Sequence, residues 1–144
     1  MEITSGAKAE GMDYKTLLIV DDDEEWTELL RSYFHDRYEV RIANFAGDAI
    51  EIARNERPSV IILDLVMPSM DGFGMLHRLN DSTERRIPTI LLTGWNTPEV
   101  EECAAAAGCV AVLGKPVSLE TLDEVISSIV CEATARLTAA VTIH

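Results

Sequence analysis

Four apolar runs in this chain end in residues whose types suit phosphorus chemistry. Leu17-Leu18-Ile19-Val20 stops at Asp21-Asp22-Asp23, Val60-Ile61-Ile62-Leu63 at Asp64, Thr89-Ile90-Leu91-Leu92 at Thr93, and the run from Val110 to Leu113 just before Lys115-Pro116. Carboxylates gathered in one place repel, and a cation relieves them; hard oxygen ligands left partly hydrated suit Mg²⁺. Beside such a cation Asp64 can attack phosphorus as a carboxylate nucleophile, while the Lys115 ammonium and the Thr93 hydroxyl offset charge on the transferred oxygens. An aspartyl phosphate is the expected product.

Taken singly, each piece has a plainer role. Asp21 to Glu25 fits a solvated helix entrance, where acidic charge favours the helix dipole. Thr93 fits a strand-end cap, Lys115 a surface charge, and Met67-Pro68 with Asp71-Gly72 a turn. It is their joint placement after successive strands that points to one site.

The elements that must position them are legible as alternating patterns. After the first strand, Trp26, Leu29, Leu30, Tyr33 and Phe34 recur at helical spacing and are expected on one buried helix face. Tyr38, Val40 and Ile42 alternate with charge as in an edge or half-buried strand, and Ala46, Ala49, Ile50 and Ala53 mark a helix that Arg57-Pro58 ends. The β-branched run Val60 to Leu63 has the composition of a central parallel strand covered on both faces. Phe73, Leu76 and Leu79 mark a short helix after the Pro68 to Gly72 turn. Thr97-Pro98 supplies a cap and first-turn proline for the next helix, and Gly108 closes it. The fifth strand is expected over Val110 to Leu113. Ser118 caps a last helix bearing Leu119, Leu122, Val125, Ile126 and Ile129, with Leu137 and Val141 extending the pattern. Five strand-then-helix units joined by right-handed crossovers imply an α/β fold, a doubly wound five-stranded parallel sheet with helices on both faces. Ligands of such sheets bind outside the carboxyl ends of the strands.

Composition agrees with one domain and narrows its partners. With 47% hydrophobic residues in 144, a core forms without disulfides or a structural metal. A net charge of −13 and a pI near 4.5 argue against nucleic acid or an anionic membrane as direct partner. Cys103, Cys109 and Cys131 are too few and too unevenly spaced for a disulfide framework or a four-ligand zinc site, and are expected as buried thiols in a reducing cytoplasm. No stretch approaches the roughly 20 apolar residues of a membrane span. Residues 1–14 read as a disordered leader, 15–131 as the domain, and 132–144 as a helical extension or tail too short for an output module. His35, His77 and His144 lack metal spacing, and Arg85-Arg86 reads as solvated loop charge.

Asp21-Asp22, Leu63-Asp64, Met67-Pro68-Ser69-Met70-Asp71-Gly72, Thr93-Gly94 and Lys115-Pro116 together resemble the signature set of the response-regulator receiver family, over about Lys15 to Ile129. The resemblance implies a flavodoxin-like (βα)5 fold with strand order 2-1-3-4-5. It implies Asp64 as phosphoacceptor in a two-component phosphorelay, and Mg²⁺ held by Asp21, Asp22, Asp64 and the backbone carbonyl of Val66. Thr93 and Lys115 would bind the phosphoryl group, and Lys115-Pro116 resembles the family's cis peptide. The implied donor is a histidine kinase or histidine phosphotransfer protein, with a downstream protein target; a homodimer would use the last helix. Such a domain is a signalling receiver rather than an enzyme acting on a separate substrate.

Three positions depart from the family's usual pattern. Val112 stands where most receivers carry a tyrosine or phenylalanine, and valine has too little surface and too few rotamers to act as an aromatic gate. Trp95 is the candidate substitute, against the plainer expectation that it covers the loop by area alone. Trp95 and Val66 also occupy the positions that flank the phosphoryl group in this family, and as bulky apolar residues they imply slow autodephosphorylation. Asp23 is expected as a helix-start charge rather than a ligand.

Other classes fit less well. A haloacid-dehalogenase-type phosphatase needs an aspartate where Val66 stands. A flavodoxin-like redox carrier needs a phosphate-cradling loop where the chain has three aspartates, which repel a flavin phosphate. An EF-hand needs alternating ligands and a glycine, which Asp21 to Glu25 lacks. A degenerate receiver, docking partners without phosphorylation, stays open.

Overall fold

The computed structural model describes residues 15–67, 70–82 and 86–142. The leader over 1–14, Pro68 and Ser69 of the turn, Arg85 and His144 lie outside the described residues. Strands β1 (Thr16–Val20), β2 (Glu39–Ala43), β3 (Val60–Asp64), β6 (Thr89–Thr93) and β7 (Ala111–Gly114) form a parallel sheet in the order β2-β1-β3-β6-β7. Counted within that sheet the order is 2-1-3-4-5, as expected. Two further two-residue strands, β4 (Val66–Met67) and β5 (Met70–Asp71), pair antiparallel between β3 and the following helix. Sequence shows only a turn there, because a ladder this short has no period to detect.

Helices α1 (Glu24–Phe34), α2 (Ala46–Glu56), α3 (Gly72–Ser82), α4 (Pro98–Ala106) and α5 (Leu119–Thr142) cover the two faces. Alternate side chains of each central strand explain the division, since successive Cβ atoms point to opposite sides. Leu17, Ile19, Val60, Ile62, Ile90 and Leu92 pack with Leu30 and Phe34 of α1 and Leu122 and Ile126 of α5. Leu18, Val20, Ile61, Leu63 and Leu91 pack with α2, with α3 through Met75, Leu76 and Leu79, and with Ala104 of α4. The continuous apolar runs are thus two interleaved half-cores.

Helix ends follow local chemistry. Asp23 caps α1 by accepting from Trp26 N, with Glu24 and Glu25 in the first turn complementing the dipole. Thr97 caps α4 ahead of Pro98, and Ser118 Oγ accepts from Thr121 N at the start of α5. Helix α2 stops at Arg57, which is left-handed at φ 49° ahead of Pro58, and α4 is followed by Gly108 at φ +91°. The far end of α1 is tied to α5: Asp123 accepts from Arg37, Tyr33 and Ser127, and the Arg37 guanidinium lies 5.4–5.9 Å from the ring centroids of Phe34, Tyr33 and Tyr38. Pairing with Arg37 holds the Asp123 carboxyl below its ordinary value.

Some side-chain expectations are corrected. Leu29 is not on the buried face of α1: it is 48% exposed, while Thr27 is buried with Leu30 and Phe34. At about 100° per residue, Leu30 and Phe34 centre the buried face and Leu29 lies over the shoulder, farther round than Trp26 or Tyr33. The fifth strand begins one residue later than expected and runs through Gly114, leaving Val110 exposed. Cys103 and Cys131 are exposed, on the outer faces of α4 and α5, and only Cys109 is half-buried; burial pushes its thiol up to about 11. All three thiols are free. His35 and His77 are exposed and Arg86 lies against Gly108. No described helix is long and apolar enough to cross a membrane.

Candidate functional site

The parallel sheet brings its strand ends to one edge, and the side chains singled out by type converge there. Asp21 follows β1, Asp64 ends β3, Thr93 ends β6 and Lys115 follows β7. Asp21, Asp64 and Thr93 are buried, Asp22 is exposed and Lys115 is half-buried. One carboxylate oxygen from each of Asp21, Asp22 and Asp64 lies within 4.8 Å of the others. Lys115 Nζ stands 3.4 Å from Asp64 Oδ2 and 3.6 Å from Asp21 Oδ2. Those distances exceed a charge-assisted hydrogen bond of about 2.8 Å, so the ammonium bridges the two carboxylates loosely and serves both.

Backbone anchors fix this geometry. Asp21 N donates to Ala43 O, and the Asp21 carbonyl accepts from Asn44 Nδ2 at 2.7 Å, so the edge strand β2 holds the end of β1 from both sides. Asp21 Oδ1 accepts from Asp23 N at 3.0 Å, which aims the carboxylate. Lys115 N donates to Thr93 O at 2.8 Å, and the Lys115-Pro116 peptide is cis. Thr93 Oγ1 accepts from Trp95 N at 2.9 Å; a hydroxyl with one proton still has that proton to donate. Asn44 escaped the sequence reading, because a single side chain reaching a backbone carbonyl across a loop leaves no pattern.

Gly72, which the sequence marks only as a turn residue, has a packing role as well. A methyl group there would meet Leu65 O at 2.8 Å, Leu65 Cα at 3.0 Å and Asp64 O at 3.2 Å, all backbone atoms, and Gly72 N donates to Leu65 O. The start of α3 therefore lies directly on the peptide that carries Asp64. We expect Gly72→Ala to cost about 2 kcal/mol, the usual penalty for forcing a group into filled space, read as a lower urea midpoint at unchanged slope. A variant as stable as the parent would show that α3 can back away from the strand end.

Electrostatically the acid cluster is under stress. Asp21 is raised to about 6, first by burial; the Asp23 N–H and the Lys115 ammonium pull it down, while Asp64 and Asp22 push it up. Its Oδ2 is buried with no hydrogen-bond partner. A buried carboxylate oxygen without a hydrogen-bond donor, on a residue grouped with two other carboxylates, suits a cation. The donor set is all oxygen, which suits a hard divalent ion. These residues could hold a metal.

Of the remaining candidates, Asp23 is engaged as the α1 cap, as expected. Val66 is placed as the first residue of β4, right after the Asp64-Leu65 step. Trp95 does not cover its loop: its side chain is 68% exposed. Val112 is half-buried on the sheet face that also carries Ala104.

A doubly wound sheet with this acidic, lysine-bearing rim defines a receiver-type signalling domain. The response regulator receiver domain family matches residues 17–127, and the chain belongs to that family. It is 31% identical over 121 residues to the polar-differentiation response regulator DivK of Brucella anthropi, covering 83% of this chain and 98% of that one. It is 33% identical over 115 residues to a probable cyclic di-GMP phosphodiesterase of Vibrio cholerae, covering 78% of this chain but only 26% of that protein, so it spans about a quarter of that relative's length. Among solved structures, a chemotaxis protein of Vibrio cholerae superposes with a TM-score of 0.76 at 29% identity, over 81% of this chain and 99% of the other. The chain is accordingly a receiver domain of a two-component response regulator.

Proposed function

We propose that the domain accepts a phosphoryl group on Asp64 from a histidine kinase or histidine phosphotransfer protein, and that the modified rim then changes which protein it binds. The observation that carries this reading is the placement of Asp64 at the strand end, with Lys115 Nζ 3.4 Å away and two further carboxylates grouped beside it. A carboxylate oxygen of Asp64 attacks phosphorus; the bond from phosphorus to the donor nitrogen breaks, its electron pair stays on the imidazole, and solvent supplies the imidazole proton. Lys115 offsets the charge on the incoming oxygens, and the Thr93 proton is available to one of them.

Mg²⁺ held by Asp21, Asp22, Asp64 and the Val66 carbonyl would supply charge neutralisation and orientation. The buried Asp21 Oδ2, which has no hydrogen-bond partner, supports that assignment. The chemistry is the receiver's own modification, with slow reversal when neither Val66 nor Trp95 can orient a water. A cytoplasmic setting fits this role.

The test is intact mass after incubation with Mg²⁺ and acetyl phosphate, beside an Asp64→Asn control. We expect one phosphoryl adduct that needs Mg²⁺ and disappears in the control. No adduct despite measurable Mg²⁺ binding would return the domain to phosphorylation-independent docking.

A further inference from the structure

We infer that Asn44 is a positioning residue for the cation site, its side-chain amide fixing the peptide that joins Asp21 to Asp22; this deepens the function proposed above and rests on it. The sheet stops one residue short of the acidic pair. Strand β1 is in register with β2 as far as Val20 opposite Ala43, and with β3 as far as Val20 opposite Leu63, so Asp21 lies one residue beyond the paired region on both sides. Consecutive residues at the end of β2 take over its support. Ala43 O accepts from Asp21 N at 3.1 Å, and Asn44 Nδ2 donates to Asp21 O at 2.7 Å. A peptide is planar, so a hydrogen bond to the Asp21 carbonyl sets the plane from which Asp22 departs. The Asp21 carboxylate is itself aimed by Asp23 N at 3.0 Å. Both carboxylates thus leave from backbone that the Asn44 amide helps to hold.

The neighbouring helix shows that this bond is more than incidental. Helix α2 has Phe45 as its N-cap, which provides no side-chain hydrogen bond and is 61% exposed. Asparagine is among the residue types best suited to capping, and one stands immediately ahead, with its amide turned to Asp21 instead. A local rule broken beside a reactive rim, with the capable residue engaged in that rim, is the pattern of a site residue rather than a scaffold one. The acid cluster needs such a hold. Asp21, Asp22 and Asp64 bring carboxylate oxygens within 4.8 Å of one another, and like charges at that range push apart. Asp22 is the exposed member, so a loosened Asp21-Asp22 peptide lets it swing away into solvent. Mg²⁺ demands near-ideal octahedral geometry whereas Ca²⁺ accepts a flexible shell, so a displaced ligand weakens the smaller ion more.

The experiment is calorimetric titration of the full chain with Mg²⁺ and, separately, with Ca²⁺, in the parent, Asn44→Ala, Phe45→Ser and the double variant. Asn44→Ala should weaken Mg²⁺ binding about fivefold, the equilibrium worth of one hydrogen bond, and Ca²⁺ binding by no more than about twofold. Phe45→Ser gives α2 a capping hydroxyl, and should raise the urea midpoint while leaving the Mg²⁺ Kd unchanged. In that stabilised background Asn44→Ala should produce the same loss, so poor folding of the single variant does not decide the matter. A Mg²⁺ Kd unaffected by Asn44→Ala overturns the inference, and so does an equal loss for the two ions, which marks general damage to the loop. A parent that binds neither ion overturns the cation of the proposed function as well, so the two failures are distinct.

Discussion

Lys115→Ala is expected to slow phosphorylation of Asp64 by about 10²- to 10³-fold, the usual cost of deleting one preorganised group that meets developing negative charge. The ammonium lies 3.4 Å from Asp64 Oδ2 and 3.6 Å from Asp21 Oδ2, so on the proposed function it would meet an incoming phosphoryl oxygen. The same substitution should move metal affinity the other way. Removing a cation from beside the carboxylates lowers the repulsion felt by a divalent ion, and Mg²⁺ should bind roughly tenfold tighter. Opposite signs in the two readouts separate a phosphoryl-contacting role from general damage to the site, which would weaken both. Lys115→Arg keeps the charge but replaces a point charge by a planar fork. It should retain the parent's Mg²⁺ affinity while recovering only part of the rate. A phosphorylation rate in Lys115→Ala equal to the parent's would remove the lysine from the mechanism.

How much of this was legible in sequence depended on whether a residue's role has a period or a position. Leu17 to Val20, Val60 to Leu63 and Thr89 to Leu92 were readable because a strand buried on both faces must be apolar at every residue, and the two half-cores divide those runs alternately. Asp21, Asp64, Thr93 and Lys115 were readable because parallel topology carries all strand ends to one edge, whatever their separation in the chain. Leu29 was misplaced because a five-residue stripe is wider than the face α1 buries, and only packing decides which shoulder is wet. Cys103 and Cys131 were misjudged because a cysteine's preference for burial is statistical, while each sits on the outer side of its helix. Asn44 left no trace, and Gly72 only a turn signal, because each acts through contact with another segment's backbone. Trp95 shows the same limit from the opposite side: area suggested cover, but a side chain on a strand-end loop is under no obligation to turn inward.

Asp21→Asn is expected to stabilise the metal-free protein at pH 8 and to abolish its stabilisation by Mg²⁺. Asp21 is raised from 3.8 to about 6 in the folded chain, mainly by burial. Below pH 4 it is protonated folded and unfolded alike. Between pH 4 and 6 the folded state keeps a proton that the unfolded state has lost, so stability falls as pH rises, and above the folded value the full penalty of a buried charge is in place. A shift of that size corresponds to something on the order of 3 kcal/mol. The amide lacks the charge but keeps an oxygen for Asp23 N, and Lys115 loses one of its two anionic partners, so the net gain at pH 8 should be nearer 2 kcal/mol. At roughly 3 °C per kcal/mol for a chain of this size, the metal-free variant should melt about 6 °C above the parent at pH 8, with the gap closing by pH 4.5. Mg²⁺ at a hundredfold excess over its Kd should raise the parent's melting temperature by about 8 °C, through about 2.7 kcal/mol of binding linkage, and leave the variant unmoved. The site would then be one whose buried carboxylate is tolerated for the cation it recruits. A variant that melts below the parent at pH 8, with Mg²⁺ stabilising both equally, would mean that Asp21 holds the loop rather than the metal.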